Sequence, residues 1–264
     1  MDHHEILNNA SSIVSILTEA SDIIKKIYWS QDFNTELKSD QSPVTTADIK
    51  SHEYIMHELG LLYPEIPIVS EESELPPYDV RKKWEYFWLL DPLDGTKEFL
   101  KRTGEFTINL ALIQETKSVA GFINIPLQEK TYFAIKDLGA FCYQSDGDHT
   151  PLQVNTFDLN KKGIQVVASR NHKDKKTQVY IDALNEPEII EKGSALKFIS
   201  IASGEADYYP RMINIMEWDT AAGQIIIEEA GGSFVNAETG LPLSYNKAEM
   251  YNPYFIAAGK IIKS

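Results

Sequence analysis

Apolar and polar positions alternate with helical spacing over the N-terminal part of the chain. Apolar side chains recur every three or four positions across residues 5–29, which predicts a helix with one buried face. A polar loop with a short strand is expected over residues 30–47. Asp48 then opens a second predicted helix, over residues 49–59, that ends near Gly60. The simplest role for Asp48 in this pattern is that of a helix N-cap.

Short apolar runs bounded by turn formers predict a β-sheet in the middle of the chain. The predicted strands span residues 66–69, 86–90, 107–115, 118–125, 130–136 and 139–143. Because only a few residues separate the last four strands, we expect antiparallel hairpins rather than crossover units. Residues 73–83, between the first two strands, are expected to form a surface loop.

Helices and strands alternate in the second half of the chain, after a polar link over residues 144–162. Strands are predicted at residues 164–168, 189–190, 207–209, 233–236 and 255–258, and helices at residues 173–184, 194–203 and 220–230. This alternation is typical of α/β architecture. We therefore expect two domains, an N-terminal domain over residues 1–155 with an antiparallel sheet and a C-terminal domain over residues 156–264 with a smaller, mixed sheet.

The overall charge of the chain restricts its partners. The 264 residues include 25 basic and 39 acidic side chains, which gives a net charge of −14. Proteins that bind nucleic acids or membrane surfaces use basic patches, so this balance argues against both classes. A small anionic substrate remains compatible with it if metal ions and local amides offset the field at the site.

The cysteine content and the N-terminus predict a cytoplasmic protein. The single cysteine, Cys142, has no intramolecular partner for a disulfide, and its apolar neighbours predict a buried side chain. The N-terminus is acidic, unlike a signal peptide, and no apolar stretch approaches the roughly 20 residues of a membrane span. Peripheral contact with the inner membrane and a homodimer both stay open.

An apolar run over residues 86–90 leads into two carboxylates in the segment Asp91-Pro92-Leu93-Asp94-Gly95-Thr96. Two carboxylates held close together repel each other, so the pair is stable only with a cation or a shared proton between them. Hard divalent ions such as Mg²⁺ prefer oxygen ligands of this kind. The simpler interpretation is a polar turn that caps the strand.

Three further carboxylates occupy comparable places along the chain. Glu71 follows the predicted strand over residues 66–69, Asp219 directly precedes the predicted helix over residues 220–230, and Asp48 opens an earlier helix. A carboxylate at a helix N-terminus is favoured by the helix dipole, so Asp48 and Asp219 also fit plain capping roles.

Several motifs together resemble those of a known family. Glu71-Glu72-Ser73, the 91–96 segment and Trp218-Asp219-Thr220-Ala221-Ala222-Gly223 resemble the signatures of the inositol monophosphatase superfamily, which are lithium-sensitive, Mg²⁺-dependent phosphatases. The resemblance covers nearly the whole chain. It implies an α/β fold of the α+β sugar-phosphatase type, with layers in the order αβαβα and the site between the two halves.

Further motifs resemble one branch of this superfamily, the 3′(2′),5′-bisphosphate nucleotidases of the CysQ type. They are Pro43-Val44-Thr45, Lys97-Glu98-Phe99, Gly104-Glu105-Phe106-Thr107-Ile108-Asn109, Ser169-Arg170-Asn171-His172, Gly193-Ser194-Ala195-Leu196-Lys197-Phe198 and Tyr209-Pro210-Arg211. The branch removes the 3′-phosphate of adenosine 3′,5′-bisphosphate, acts on 3′-phosphoadenylyl sulfate, and serves sulfur metabolism. Residues 212–216 depart from it, being more apolar than the corresponding loop.

The resemblance implies a magnesium centre with two ions. Glu71, Asp91 and the Leu93 carbonyl are expected to hold the first Mg²⁺. Asp91, Asp94 and Asp219 are expected to hold the second, with Asp91 as the bridge. A third, weaker ion near Glu71 stays open.

The resemblance also implies a catalytic pair and a set of substrate contacts. Thr96 is expected to hydrogen-bond the attacking water, and Asp48 to orient the Thr96 hydroxyl. The substrate-binding residues expected near the metals are Glu71, Leu93, Asp94, Gly95, Thr96 and Asp219. Those expected near the nucleoside and the second phosphate are Ser169, Ser194, Lys197 and Arg211, although the same residue types also fit surface or capping positions. His172 is expected to be structural or peripheral.

Other functions stay open. Inositol monophosphatase and, less favoured, fructose-1,6-bisphosphatase differ from the preferred activity only in substrate. A nucleotide-binding sensor would be expected to lack a metal carboxylate, whereas every expected ligand is present here. Haloacid-dehalogenase phosphatases form an aspartyl-phosphate on carboxylates two residues apart. Residues three apart on a strand do not share a face, which favours direct transfer to water for Asp91 and Asp94.

Overall fold

The computed structural model describes residues 3–30, 35–37, 43–144, 148–170 and 174–262. Residues 31–34 and 38–42 of the predicted loop, residues 145–147 of the predicted link, and His172 lie outside the described residues.

The described residues form eight α-helices and eighteen strands. The helices are α1 His3–Asn8, α2 Ala10–Ser30, α3 Thr46–Leu62, α4 Tyr78–Arg81, α5 Thr96–Leu100, α6 Lys175–Asp182, α7 Leu196–Ala202 and α8 Glu217–Glu229. The strands are β1 Thr35–Leu37, β2 Pro43–Thr45, β3 Ile68–Ser70, β4 Tyr86–Asp94, β5 Thr107–Gln114, β6 Lys117–Ile125, β7 Lys130–Ile135, β8 Gly139–Tyr143, β9 His149–Pro151, β10 Thr156–Asp158, β11 Gln165–Ala168, β12 Glu188–Glu191, β13 Tyr208–Arg211, β14 Ile215–Met216, β15 Ser233–Asn236, β16 Tyr251–Asn252, β17 Phe255–Ala258 and β18 Lys260–Ile262.

Two larger sheets organise these strands. The first has the order β3-β4-β5-β6-β7-β8-β9, and the hairpins predicted from β5 to β8 are confirmed. This sheet is antiparallel apart from its first pair, because β3 runs parallel to β4. The second sheet has the order β12-β11-β13-β17-β15 and is mixed, as expected.

Three hydrophobic clusters show how the layers stack. Helices α2 and α3 cover one face of the first sheet, where Ile13 packs in the same cluster as Phe122. Helices α7 and α8 lie between the two sheets, where Ile225 shares a cluster with Phe255. Helix α6 covers the outer face of the second sheet through Ile181. The order of the layers is therefore αβαβα, as expected.

Helix α8 lies unusually close to the first sheet at Gly121 of β6. A Cβ atom added to Gly121 would come within 2.8 Å of both the Cα and the carbonyl oxygen of Ala222. Real side chains do not approach backbone this closely, so a glycine is required for the two elements to pack. This contact brings the N-terminal end of α8, with Asp219, toward the end of β4.

Two predicted helices differ from the structure at their ends. The helix predicted over residues 5–29 is interrupted at Asn9, between α1 and α2. The helix predicted over residues 49–59 begins three residues earlier, at Thr46, because Thr45 is its N-cap and Asp48 completes a capping box as the third helical residue. It also continues past Gly60, where the cost of one glycine, about 1 kcal/mol, is too small to end a helix.

The segment predicted as a surface loop over residues 73–83 contains a buried arginine. Arg81, in the short helix α4, is only 1% exposed. Its guanidinium donates to the Pro76 carbonyl at 3.2 Å, to Asn246 Oδ1 at 2.9 Å and to the Ala248 carbonyl at 2.9 Å. The prediction was wrong here because a composition argument does not reveal acceptors that lie 165 residues away.

Two further features of the described residues bear on the setting of the protein. Cys142 is buried in the hydrophobic cluster between the two sheets, which confirms the prediction for its side chain. Within the described residues, no helix combines the length and the apolar character needed to cross a bilayer. The domain boundary near residue 155 stays a prediction.

Candidate active site

Strand β4 carries two carboxylates to one face of the first sheet because it contains a β-bulge. Asp91 lies opposite Asn109 of β5 and Asp94 lies opposite Thr107, so β4 advances three residues while β5 advances two. The extra residue restores the alternation, and Asn109 Nδ2 donates to Asp94 Oδ2 at 3.4 Å. The argument that residues three apart cannot share a face is therefore wrong for this pair.

Asp219 reaches the same place from the inner helical layer. It is the third residue of α8, not the residue before the helix, and its Oδ2 accepts a hydrogen bond from the Met216 amide at 2.9 Å. The helix begins earlier than predicted because Glu217 is fully buried and its carboxylate accepts from the Asn246 and Lys247 amides at 2.6 and 3.1 Å. A pattern argument had no reason to expect a buried glutamate as the first helical residue.

Glu71 completes a group of three carboxylates. It directly follows β3, and its amide donates to the Leu90 carbonyl at 3.0 Å, which ties it to the neighbouring strand β4. One ligand oxygen from each of Glu71, Asp91 and Asp219 lies within 4.8 Å of the others. Asp91 is buried, whereas Glu71 and Asp219 are partly exposed. The structure therefore brings together residues that are 20 and 128 positions apart in the sequence.

The electrostatics of this group call for a cation. At this separation each pair of ionised carboxylates repels by about 3 kcal/mol at an effective dielectric constant of about 20. Burial, then the charges of Glu71 and Asp94, raise the pKa of Asp91 well above its usual range. Burial, then the charges of Asp94 and Glu71, raise the pKa of Asp219 in the same way. The cluster takes up protons unless a positive ion compensates it.

The donor set of the cluster fits a hard divalent ion such as Mg²⁺. All its ligand atoms are carboxylate oxygens, the type that Mg²⁺ prefers. Leu93 lies within the bulge between the two aspartates. Its amide donates to Asp91 Oδ1 at 3.1 Å, and its carbonyl oxygen is 3.4 Å from the Thr96 hydroxyl.

Helix α3 holds the segment that follows Asp91. The Thr96 hydroxyl donates to Asp48 Oδ1 at 3.2 Å, while the other Asp48 oxygen accepts from the amide and the hydroxyl of Thr45 at 2.8 and 2.5 Å. One turn further along α3, the Ser51 hydroxyl donates to the Pro92 carbonyl at 2.8 Å. Burial raises the pKa of Asp48, against the effect of the hydrogen bonds from Thr45.

A cleft of about 600 Å³ opens beside the carboxylates. Seven of the ten expected substrate-binding residues line it, namely Asp94, Gly95, Ser169, Ser194, Lys197, Arg211 and Asp219. The other three, Glu71, Leu93 and Thr96, do not line this cleft. Ile215, from the apolar segment that departs from the nucleotidase pattern, also lies on its wall.

Of the three cationic side chains that line the cleft, Lys197 is buried, Arg211 is half-buried and Lys97 is exposed. Lys197 is buried, which lowers its pKa to about 8, and its Nζ donates to the Ser194 carbonyl at 2.5 Å. The Nε of Arg211 is buried and has no hydrogen-bond partner among the described residues. A buried polar atom without a partner costs free energy, so an anionic ligand in the cleft would stabilise Arg211.

Several residues that support the site were missed at the level of sequence. Ser51 lies on the same face of α3 as Asp48, at a spacing of three residues. Thr107 and Asn109 are fully buried and stand two apart in β5, whose other buried residues are all apolar. Two polar residues on one face of a buried strand are the signal that would have identified them.

Comparison with known proteins places this geometry in a family. A model of the inositol monophosphatase family matches residues 6–263. The chain belongs to the inositol monophosphatase family. This family is metal-dependent, in agreement with the acidic cluster around Asp91.

Individual members of the family resemble the chain along its length. The 3′(2′),5′-bisphosphate nucleotidase CysQ of Escherichia coli O6:H1 is 39% identical over 245 residues, which are 92% of this chain and 96% of that protein. The crystal structure of CysQ from Bacteroides thetaiotaomicron has 36% identity and a TM-score of 0.83, and the match covers 96% of this chain and 97% of that one. An IMPase/NADP phosphatase solved with Mg²⁺ and phosphate shares the fold at 21% identity and a TM-score of 0.79, over 97% of this chain and 92% of that one.

Proposed function

We propose that this chain is a Mg²⁺-dependent 3′(2′),5′-bisphosphate nucleotidase. It removes the 3′-phosphate of adenosine 3′,5′-bisphosphate to give AMP, acts in the same way on 3′-phosphoadenylyl sulfate, and serves sulfur metabolism in the cytoplasm. The observation that carries the proposal is the convergence of Glu71, Asp91 and Asp219 beside a cleft that is lined by Lys197 and Arg211. The relative of this name that is 39% identical supports the choice of substrate.

The residues divide into a metal side and a phosphate side. In this proposal Glu71, Asp91 and the Leu93 carbonyl would hold one Mg²⁺, and Asp91, Asp94 and Asp219 would hold a second. A third, weaker ion would lie near Glu71. Such ions neutralise phosphoryl oxygens and acidify water. Ser169, Ser194, Lys197 and Arg211 bind the nucleoside and the second phosphate, where the planar fork of Arg211 suits two phosphate oxygens.

Asp48 and Thr96 orient the attacking water. Because Thr96 donates its proton to Asp48 Oδ1, the lone pairs of its hydroxyl oxygen face the site and accept a proton from the water. Thr45 donates twice to the other Asp48 oxygen, so the carboxylate cannot turn away. The phosphoryl group passes directly to water, and Gly95 and Thr96 amides help to cradle it.

Phosphate release from a small substrate panel tests the proposal. We expect Mg²⁺-dependent release from adenosine 3′,5′-bisphosphate at least tenfold faster, by kcat/KM, than from inositol 1-phosphate or fructose 1,6-bisphosphate, and inhibition by Li⁺. Faster cleavage of the inositol ester would show that the substrate assignment is wrong. Binding of the nucleotide without release from any substrate would instead identify a sensor.

The affinity for substrate is expected to fall as pH rises above 8. Lys197, with its pKa lowered to about 8 by burial, is largely protonated at pH 7 and largely neutral at pH 9. Its attraction for a phosphate is lost over this interval, so KM for adenosine 3′,5′-bisphosphate should rise about fivefold to tenfold. Steady-state kinetics from pH 6.5 to 9.5 measure the change.

Two variants assign this pH dependence to its source. Lys197→Met should have a raised KM at pH 7 and a flat profile. Lys97→Met removes an exposed lysine from the same cleft and should keep the wild-type profile. A profile that persists in Lys197→Met would contradict the assignment.

A further inference from the structure

Two buried polar residues of β5 have no role in the proposed chemistry. Thr107 is 0% exposed and Asn109 is 1% exposed, and neither lines the cleft. They lie opposite Asp94 and Asp91 across the bulge, on the face of the sheet that the inner helical layer covers. Burying a polar side chain in such a strand costs folding free energy unless the side chain is hydrogen-bonded. The hydrogen-bond partners of Thr107 and Asn109 therefore indicate what the two residues do.

Their partners lead to Asp94. The Ser194 hydroxyl lies 2.7 Å from Asp94 Oδ2 and 2.7 Å from Thr107 Oγ1. Thr107 Oγ1 also lies 2.8 Å from Asn109 Oδ1, and Asn109 Nδ2 lies 3.4 Å from Asp94 Oδ2. The four side chains form a ring of polar contacts in which the Asp94 carboxylate accepts from both Ser194 and Asn109.

The donors that face the carboxylate are fixed when Asp94 is ionised. A carboxylate accepts only, so Ser194 donates its single proton to Asp94. Ser194 can then only accept from Thr107, whose single proton has two acceptors within reach, Ser194 Oγ at 2.7 Å and Asn109 Oδ1 at 2.8 Å. Hydrogen bonds aligned in this way polarise one another and strengthen the last one, which ends on the charged oxygen.

The backbone conformation of Ser194 is unusual. Ser194 has a φ of 50°, in the left-handed region that a non-glycine residue adopts only when its surroundings enforce it. Glu105, from the first half of the chain, holds the residue before Ser194. One Glu105 oxygen accepts from the Gly193 amide at 2.9 Å, and the other accepts from Arg170 Nη2 at 2.8 Å.

We propose that Thr107, through Ser194, positions Asp94 for metal binding. The proposal rests on the metal site proposed above and deepens it. Thr107 is a positioning residue, since it is fully buried and its hydroxyl reaches the Asp94 carboxylate through the Ser194 hydroxyl. The proposal also explains why Thr107 and Asn109 stand two residues apart. The bulge in β4 places Asp91 and Asp94, which are three residues apart, opposite these two residues of β5. Side chains that orient metal ligands from behind typically change metal affinity by about 10-fold to 100-fold when removed.

Calorimetric titration with Mn²⁺, without substrate, tests this Thr107–Ser194–Asp94 contact, which we call the relay. Thr107→Val keeps the shape of the side chain and removes its hydroxyl, and we expect about a tenfold weaker Mn²⁺ affinity. Thr107→Ser restores the hydroxyl and should return the affinity to within about threefold of the wild type. Thr131→Val is the matched control, because Thr131 is also buried in the first sheet and bonded to an asparagine, Asn124, at 2.9 Å.

The outcomes separate the relay from the metal site itself. Thermal midpoints in a metal chelator show whether Thr107→Val and Thr131→Val fold equally well. A Thr107→Val isotherm that superimposes on the wild type, a Thr131→Val isotherm that shifts equally, or a failure of Thr107→Ser to recover affinity would each overturn the relay. Absence of Mn²⁺ binding in the wild type would overturn the proposed function and the relay with it.

Discussion

Asp91→Asn is expected to reduce metal-dependent phosphate release by about 10³-fold. Asp91 is the buried member of the carboxylate cluster, and both proposed metal ligand sets include it. Replacing it with a neutral amide of the same shape removes charge stabilisation worth several kcal/mol in the transition state, where about 1.4 kcal/mol corresponds to a factor of ten. Initial rates over a wide range of Mg²⁺ concentration measure the loss.

The same substitution should stabilise the metal-free protein. Without a cation, Asp91 either repels Glu71 and Asp94 or takes up a proton, and its pKa is raised well above the usual range for this reason as well as through burial. The unfolded state has an ordinary carboxyl, so ionisation near neutral pH favours unfolding. Asparagine removes this penalty. Thermal unfolding in a chelator should therefore give a higher midpoint for Asp91→Asn than for the wild type.

Asp207→Asn is the matched control for Asp91→Asn. Asp207 is a buried carboxylate outside the cluster, and its two oxygens accept from Asn155 Nδ2 and from the Gln165 amide, both at 2.9 Å. Its replacement should lower stability and leave phosphate release near the wild-type rate. Near-full turnover in Asp91→Asn, with Asp207→Asn behaving as described, would contradict the proposed site.

Asp48→Asn is expected to lower kcat by about 10²-fold to 10³-fold while Mn²⁺ affinity stays close to the wild type. Thr45 offers two donors to one Asp48 oxygen, so an asparagine must turn its carbonyl toward Thr45 and its amide toward Thr96. The Thr96 hydroxyl then accepts where it formerly donated, and its proton points at the water it should receive a proton from. Loss of a general base typically has this magnitude.

Variants of Thr96 check that the two residues act as a pair. Thr96→Val should lower kcat by a similar factor, Thr96→Ser should retain most of the activity, and the double variant should be no slower than the slower single one. Single-turnover measurements at saturating Mg²⁺ separate chemistry from binding. Additive effects of the two single changes would contradict the paired role, and a large loss of Mn²⁺ affinity in Asp48→Asn would show that Asp48 supports the metals instead.

The strands and the layer order were predictable because they depend on local pattern. Apolar runs between turn formers located β5 to β8 to within a few residues, and the alternation after residue 162 indicated the second sheet. Helix ends were less predictable, since the starts of α3 and α8 depend on Thr45 and on the burial of Glu217. Both are set by partners that a periodic pattern does not contain.

The candidate site also has features that the sequence predicted and features that it did not. The carboxylates were identified as a group because their residue types and motifs carry the chemistry in the sequence itself. The bulge that turns Asp91 and Asp94 to one face was not predicted, since it depends on pairing with β5. Thr107 was quoted only as part of a motif, because its purpose depends on Ser194, 87 residues further along the chain.

The buried guanidinium of Arg81 has a consequence for how the chain divides. Arg81 lies in the first half of the sequence, yet two of the three acceptors of its guanidinium are on residues 246 and 248. The central hydrophobic cluster is likewise built from both halves. A fragment cut near residue 155 would leave that cation with only one of its three acceptors, the Pro76 carbonyl, and would expose half of a core to water. The two halves are therefore expected to melt as a single cooperative unit, and a split of the polypeptide at the predicted boundary would yield no independently stable piece.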